Sequence, residues 1–142
     1  MNKISPLILP KKGTDVDLEI ESLAFGGMGI SKFKGIVVFV KNSIPGQRVK
    51  ARIVKKKGAY LEARVLEILS KSPNEISYPC EHFNHCGGCS FQNMNYDNQL
   101  VEKEKQVREL FIRIGNINDV DVEPIIGCDE IYNYRNKMEF TF

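Results

Sequence analysis

The sequence predicts an α+β protein: an all-β barrel comes first, and a partial α+β domain with a cysteine-rich loop and one long helix follows. Three observations support this. Apolar and polar residues alternate with period two between positions 14 and 69, a helical period appears after position 95, and three cysteines lie between these regions. The 142 residues suffice for one medium domain or two small ones. The stretch SKSPNEISYP has linker composition, which predicts domains 1–72 and 73–142.

Five strand patterns occupy the N-terminal half at roughly ten-residue spacing. Residues 15–21 alternate strictly, and FGGMG at 25–29 predicts a tight loop or a strongly bent strand. GIVVFV at 35–40 is typical of a buried strand, and residues 48–53 place apolar side chains on one face and cations on the other. The apolar phase changes after Val65, as at a β-bulge. Short strands with glycine-rich turns favour a small barrel over a sandwich.

The second half contains a strong helical pattern. Asn95 or Asp97 can cap its start, and Gly115 can end it. We expect its apolar stripe to lie in the core; the stripe consists of Leu100, Val107, Leu110, Phe111 and Ile114.

The chain closes with YRNKMEFTF, in which Met138, Phe140 and Phe142 alternate with polar residues as in a strand with one apolar face. A strand that ends a chain in this way leaves its apolar face and one edge uncovered. We therefore expect the sequence to be the N-terminal part of a longer protein.

Charge is distributed unevenly along the chain. Residues 1–72 carry 14 Lys and Arg against 6 Asp and Glu, a net charge of +8, whereas residues 73–142 carry 6 against 12, a net charge of −6. A basic half of this kind indicates a polyanionic partner, and the alternative is a solvated basic face without a partner. No apolar run approaches the roughly 20 residues that cross a bilayer, and the N-terminus does not resemble a secretory signal. We therefore expect a cytoplasmic protein without a membrane partner, whose thiols stay reduced.

Three cysteines form the pattern C-x5-C-x2-C, at Cys80, Cys86 and Cys89, with two glycines between the last two. Such a loop with one remote cysteine is a recurring iron–sulfur arrangement, and glycine N–H groups can donate hydrogen bonds to cluster sulfides. Tetrahedral zinc, with His82 or His85 as a fourth ligand, is the alternative. A redox dithiol is less favoured because no thioredoxin-like pattern surrounds the cysteines.

Cys128 is a candidate for the remote ligand. Its context, after PIIG and before DEIYNYRNK, is more typical of a small buried apolar residue.

The order of motifs resembles the N-terminal part of the S-adenosylmethionine-dependent rRNA (uracil-5-)-methyltransferases. These motifs are FGGMG, GIVVFV and IPGQ in the barrel, then C-x5-CGGC-x2-Q, a helix with QL-x2-K, and YRNK. The resemblance covers about Asp15 to Phe142. Two positions depart from the family pattern: Gln47 stands where PGE is usual, and Asn93 follows Gln92 where histidine is common.

The resemblance implies that the barrel is an OB-like, RNA-binding TRAM domain. It also implies that Cys80, Cys86 and Cys89 bind a [4Fe–4S] cluster whose fourth ligand lies beyond this chain. The full-length protein would transfer a methyl group from S-adenosylmethionine to a uridine of 23S rRNA. No residue of this chain is assigned to that step, and the chain alone is expected to be inactive. The alternative is a stand-alone RNA-binding barrel with a zinc knuckle.

The basic side chains of the barrel are the candidates for contacts with RNA phosphates, and Phe33 and Tyr60 are candidates for base stacking. These cations are Lys32, Lys34, Arg48, Lys50, Arg52, Lys55, Lys56 and Lys57.

Overall fold

A computed structural model describes residues 9–83, 85–134 and 136–137. The strand predicted around Met138, Phe140 and Phe142 lies outside these residues. The described residues form six strands and one helix, in the order β1 Asp15–Glu19, β2 Ser22–Leu23, β3 Gly29–Phe33, β4 Ile36–Lys41, β5 Arg48–Lys56, β6 Tyr60–Ser70 and α1 Tyr96–Arg113.

The strands form one sheet in the order β1-β5-β6-β4-β3-β2, and β4 and β6 run parallel while the other neighbours are antiparallel. Only Ile20 and Glu21 separate β1 from β2. β1 pairs with β5 at one edge of the sheet, and β2 pairs with β3 at the other edge. β1 and β2 therefore behave as the two halves of one bent strand, which brings the two edges of the sheet together. This is the topology of a five-stranded OB-like barrel. The predicted small barrel is therefore confirmed, with its first strand divided in two.

The barrel interior is built by the alternation that the sequence shows. Side chains of one parity on each strand are buried, because successive residues of a strand point to opposite faces. The core cluster consists of Val16, Leu18, Ile20, Val38, Val40, Val49, Ala51, Ile53, Leu61 and Ala63. Leu66 has no partner in the register between β5 and β6, where Lys50 faces Glu67 and Ala51 faces Val65. The phase change predicted after Val65 is thus a β-bulge.

The segment of linker composition is held against the barrel. Gln47 is fully buried; its Oε1 accepts a hydrogen bond from the Ile44 N–H at 2.9 Å, and its Nε2 donates to Glu75 Oε2 at 2.8 Å. A glutamate at position 47 would lack this donor, which gives a physical reason for the departure from PGE. Glu75 also forms a β-bridge with Met94. The domain boundary after residue 72 remains a prediction.

Helix α1 begins after Asn95, whose Oδ1 accepts a hydrogen bond from the Asn98 N–H at 2.9 Å. The prediction of the helix and of this cap is confirmed. The prediction that its apolar stripe lies in the core is wrong, because α1 has no buried residue and Phe111 is 41% exposed. Periodicity shows which face of a helix is apolar but not what covers it. Among the described residues, no helix is long and apolar enough to cross a membrane.

Candidate nucleic-acid interface and cysteine loop

The first group of predicted cations lies on the exterior of β5, directly beside the acidic exterior of β1. The cross-strand pairs are Asp15 with Arg52, Asp17 with Lys50, and Glu19 with Arg48. The Arg52 guanidinium donates two hydrogen bonds to the Asp15 carboxylate, at 2.7 and 2.9 Å, and Arg48 lies 3.8 Å from Asp17. Opposite charges thus alternate across these two strands, so this face carries little net charge.

The Asp15–Arg52 pair stays ionised at neutral pH. The hydrogen bonds and the charge of Arg52 lower the pKa of Asp15 below its ordinary value, and Asp15 raises the pKa of Arg52. Arg52 is therefore already bound to a carboxylate, and a phosphate would have to compete for it.

The second group of predicted cations lies where strands meet at hairpins. Lys32 is 3.7 Å from Glu21, and Lys55 is 3.2 Å from Glu62. Lys34 lies over the Phe33 ring, with its Nζ 5.5 Å from the ring centroid. In the part of the chain that the structure describes, no ion pair is found for Lys34, nor for Lys56 and Lys57, which follow Lys55 in the sequence.

Two aromatic rings meet on the outside of the barrel. Val38 and Val40 are buried in the core, so Phe39 between them points outward, and Tyr60 does so beside the buried Leu61. The Phe39 and Tyr60 rings are 5.2 Å apart between centroids at an interplanar angle of 84°. We call these two residues the aromatic platform. Phe33, the other predicted stacking residue, packs against the core instead.

Beside the aromatic platform, three cations lie in register across three strands. Lys41 on β4 pairs with Arg64 on β6, and Arg64 pairs with Arg52 on β5. We call these residues the cation row. Like charges directly opposite one another in a sheet are destabilising, so such a row has a cost for folding. Among the described residues, Arg52 has an ion-pair partner, and none is found for Lys41 or Arg64.

Sequence reasoning missed Lys41, Arg64 and Phe39. Alternation within 36–41 and 60–64 places them on the barrel exterior, and that signal was available. The parallel pairing of β4 with β6 brings them together, and nothing local in the sequence indicates that pairing.

The cysteine loop provides sulfur acceptors. Cys86 Sγ accepts a hydrogen bond from the Gly88 N–H at 3.4 Å, and Cys89 Sγ accepts one from Gln92 Nε2 at 3.1 Å. All four cysteines of the chain are described, and all are free thiols. Within the described residues, however, no three Cys, His, Asp or Glu side chains are close enough to hold a metal ion. The donor types suit an iron–sulfur cluster, but the predicted ligand set is not gathered into a site.

Cys128 differs from these thiols. It is exposed rather than a buried apolar residue, and its Sγ donates a hydrogen bond to the Glu130 carbonyl at 3.1 Å. Its backbone N–H donates to Tyr96 Oη at 2.7 Å. Cys128 and Cys89 line the same cavity of about 740 Å³, between the cysteine loop, the start of α1 and residues 128–134.

Comparison with known proteins first defines the class of the barrel. Residues 11–66, which contain most of the barrel, match the family model of the TRAM domain.

The similarity to curated proteins extends further. The chain is 44% identical over 128 residues to an uncharacterized RNA methyltransferase of Halalkalibacterium halodurans, covering 90% of this chain and 28% of that protein. It is 42% identical over 132 residues to an uncharacterized RNA methyltransferase of Clostridium tetani, covering 93% and 29%. The chain spans less than a third of the length of these relatives. The resemblance inferred from the motifs is confirmed: a TRAM domain is followed by a segment shared with RNA methyltransferases.

Two solved structures align with part of this chain. The tRNA (uracil-54, C5)-methyltransferase of Pyrococcus abyssi, in complex with S-adenosyl-L-homocysteine, aligns with a TM-score of 0.46 and 24% identity, over 66% of this chain and 21% of that one. A conserved protein of Methanococcus maripaludis aligns with a TM-score of 0.40 and 26% identity, over 47% of this chain and 100% of that one.

Proposed function

We propose that this chain is the RNA-binding and iron–sulfur portion of an rRNA (uracil-C5)-methyltransferase. The full-length enzyme transfers a methyl group from S-adenosylmethionine to a uridine of 23S rRNA in the cytoplasm. The observation that carries this proposal is the identity of about two residues in five with proteins named RNA methyltransferases, over nine-tenths of the chain. The motif order from FGGMG to YRNK supports the uracil-C5 class.

In this proposal the barrel binds the RNA. Its basic composition suits a polyanion, and phosphate contacts would position the substrate without reading its sequence. The cations available for this task lie at the hairpins and at Lys41 and Arg64 of the cation row. Arg48, Lys50 and Arg52 on β5 face the acidic side chains of β1 instead. The residues that carry out methyl transfer are not assigned to this chain.

Cys80, Cys86 and Cys89 are proposed as three thiolate ligands of a [4Fe–4S] cluster, and a fourth ligand would come from outside these 142 residues. Their spacing and the N–H donors to Cys86 and Cys89 support this assignment. A bound cluster would chiefly hold the loop together. Gln92 and Gly88 would donate to its sulfur ligands.

The test of the activity uses the full-length protein, isotopically labelled S-adenosylmethionine, and unmodified 23S rRNA and tRNA as separate substrates. We expect 5-methyluridine in 23S rRNA, identified by mass spectrometry of the digested nucleosides. Methylation of tRNA alone would overturn the 23S assignment, and no RNA methylation at all would overturn the enzymatic proposal.

The test of the metal is iron, sulfide and zinc analysis of the same protein purified without oxygen. Iron with acid-labile sulfide supports the cluster. Zinc without sulfide would replace the cluster by a zinc site.

A further inference from the structure

We propose that the FGGMG turn of the barrel, at positions 25–29, positions the cysteine loop, and that Gly27 is the residue through which it does so. Gly27 lies against Ser90 and Phe91, which directly follow Cys89 in the chain. This inference rests on the proposed role of the cysteines as metal ligands and deepens it, because it names the part of the barrel that holds one of those ligands in place.

The FGGMG turn joins β2 to β3, and its shape depends on two glycines. The Gly27 N–H donates a hydrogen bond to the Ala24 carbonyl at 3.0 Å, and the Ala24 N–H donates one to the Met28 carbonyl at 2.8 Å. Gly26 and Gly27 have φ angles of 91° and 90°, in a region that residues with a side chain rarely adopt. The two glycines therefore share one backbone requirement, but they differ in their surroundings.

Of these two glycines, Gly27 is the one that lies against the cysteine loop. A Cβ atom added to Gly26 would meet nothing within 4 Å among the described residues. A Cβ atom added to Gly27 would lie 3.0 Å from Ser90 Cβ and 3.1 Å from Cζ of the Phe91 ring, which is closer than the usual separation of carbon atoms in contact. The absence of a side chain at Gly27 therefore allows the cysteine loop to approach the barrel this closely.

A small apolar cluster below the turn joins the same two parts of the chain. Leu23 and Ile44 of the barrel are buried together with Met94, and Phe91 packs against them. Met94 is only 2% exposed, so separating the cysteine loop from the barrel would expose apolar surface to water. The contact at Gly27 is thus the edge of a packed interface.

Helix α1 binds both sides of this interface through two glutamines. Gln99 Nε2 donates a hydrogen bond to the Phe91 carbonyl at 3.0 Å. Gln106 Nε2 donates to the Leu23 and Ala24 carbonyls, at 3.4 and 3.3 Å. The helix therefore holds the segment after the cysteines and the start of the FGGMG turn at a fixed separation.

The position of the Cys89 thiol depends on the same segment. Cys89 Sγ accepts a hydrogen bond from Gln92 Nε2 at 3.1 Å, and Ser90 and Phe91 lie between these two residues in the chain. A displacement of Ser90 and Phe91 by a side chain at position 27 would change both the place of the thiol and its hydrogen bond. Gly27 is therefore a positioning residue for Cys89.

The first experiment compares Gly27→Ala with Gly26→Ala in the 142-residue chain. Both changes add one methyl group at nearly the same φ, so their backbone strain is matched, and only the first methyl group meets the cysteine loop. The ¹⁵N-labelled chains are compared with the parent by NMR. We expect the amide resonances of Cys89, Ser90 and Phe91 to shift in Gly27→Ala and to stay in place in Gly26→Ala.

A rescue variant tests whether the contact itself is the cause. Ser90→Gly removes the Cβ atom that the new methyl group would meet. In the double variant Gly27→Ala, Ser90→Gly, the Cys89 resonance should return to its position in Ser90→Gly alone. If Gly27→Ala does not fold while Gly26→Ala does, recovery of the fold in the double variant supports the contact, and no recovery overturns it.

The second experiment measures the consequence for the thiol ligands in the full-length protein, purified without oxygen. Release of the bound iron or zinc to a chelator is followed over time. We expect release roughly tenfold faster from Gly27→Ala than from Gly26→Ala, because a displaced ligand binds the metal less tightly. Ser90→Gly should restore the slower release in the double variant.

The outcomes separate this inference from the function on which it rests. If the Cys89 resonance responds equally to both glycine variants, the positioning role of Gly27 is refuted, whatever the cysteines bind. If the resonance shifts as expected but metal release is the same in both variants, Gly27 packs against the loop without positioning a ligand, and the inference is also overturned. If the full-length parent holds no metal, the proposed cluster fails, and the NMR comparison still decides whether Gly27 positions Cys89.

Discussion

Arg64 is the residue at which folding and RNA binding should respond in opposite directions. It lies between Lys41 and Arg52 in register, so its charge meets a like charge on each side. Replacing it by glutamine removes both repulsions and keeps a polar but shorter side chain. We expect Arg64→Gln to be more stable than the parent chain and to bind RNA less tightly.

The magnitude follows from the register. A directly opposed pair of like charges costs about 0.2–1 kcal/mol, and the two pairs of Arg64 lie at the low end because the side chains are exposed and Asp15 already compensates Arg52. We therefore expect stabilisation by about 0.5 kcal/mol. With a urea m-value of about 1–3 kcal/mol/M, the unfolding midpoint should rise by roughly 0.2–0.5 M.

The assay is unfolding in urea, monitored by circular dichroism at low and at high salt. RNA binding is measured on the same protein preparations without urea. Salt screens exposed charges, so the stabilisation should shrink as ionic strength rises. The matched control is Arg48→Gln. This change removes a favourable ion pair with Asp17 and the favourable cross-strand pairing of Arg48 with Glu19. Its stability should stay equal or fall by up to about 0.5 kcal/mol.

Lower stability of Arg64→Gln at low salt, together with unchanged RNA affinity, would refute the reasoning. It would mean that contacts within the barrel already stabilise the charge of Arg64, so that this charge does not serve to bind an anion.

Three further predictions concern other parts of the molecule. Asp15→Asn releases Arg52, so affinity for RNA should rise and the salt slope should steepen by about 0.7; an unchanged slope would show that Arg52 stays outside the RNA interface. Gln47→Glu places a second carboxylate against Glu75, so the free energy of unfolding measured in urea should fall by about 2 kcal/mol. Adding Glu75→Gln should restore most of this stability. If it does not, the lost hydrogen bond between the two side chains is not the cause of the destabilisation. Cys86→Ser in the full-length protein should abolish the brown absorbance and lower the bound iron, and retention of both would remove Cys86 from the ligand set.

The acidic β1 strand also predicts a dependence on pH. The pKa of Asp15 is lower in the folded chain than its ordinary value, so the pair with Arg52 contributes stability above that ordinary value. The contribution is lost as pH falls through the lowered pKa. In Asp15→Asn this acid-sensitive part of the unfolding curve should be missing, as acid titration by circular dichroism can show.

Much of the fold could be predicted because its signals are local. Alternation over residues 48–53 decides which side chains enter the barrel, the phase change after Val65 marks the bulge, and Asn95 caps the helix with its own side chain. Each depends on residues within a few positions of one another. The cysteine spacing is local too, which is why the cluster could be proposed, although the described thiols are not gathered around a common centre.

Other features depend on pairings between distant residues. The sequence shows that Arg48, Lys50 and Arg52 share a face, but only the pairing of β1 with β5 shows that acidic side chains lie beside them. The apolar stripe of α1 was visible, whereas its exposure was not.

The sequence by itself determined that a small β-barrel precedes a cysteine loop and a capped helix, because alternation, glycine positions and capping residues act over short distances. Only the tertiary structure decided which charges meet. The parallel contact of β4 with β6 brings Lys41 to Arg64 across 23 positions of chain, and the fold of the 70–79 segment brings Glu75 to Gln47. Register between distant strands is set by the packing of the whole barrel, so the candidate RNA surface emerges only when the sheet is assembled.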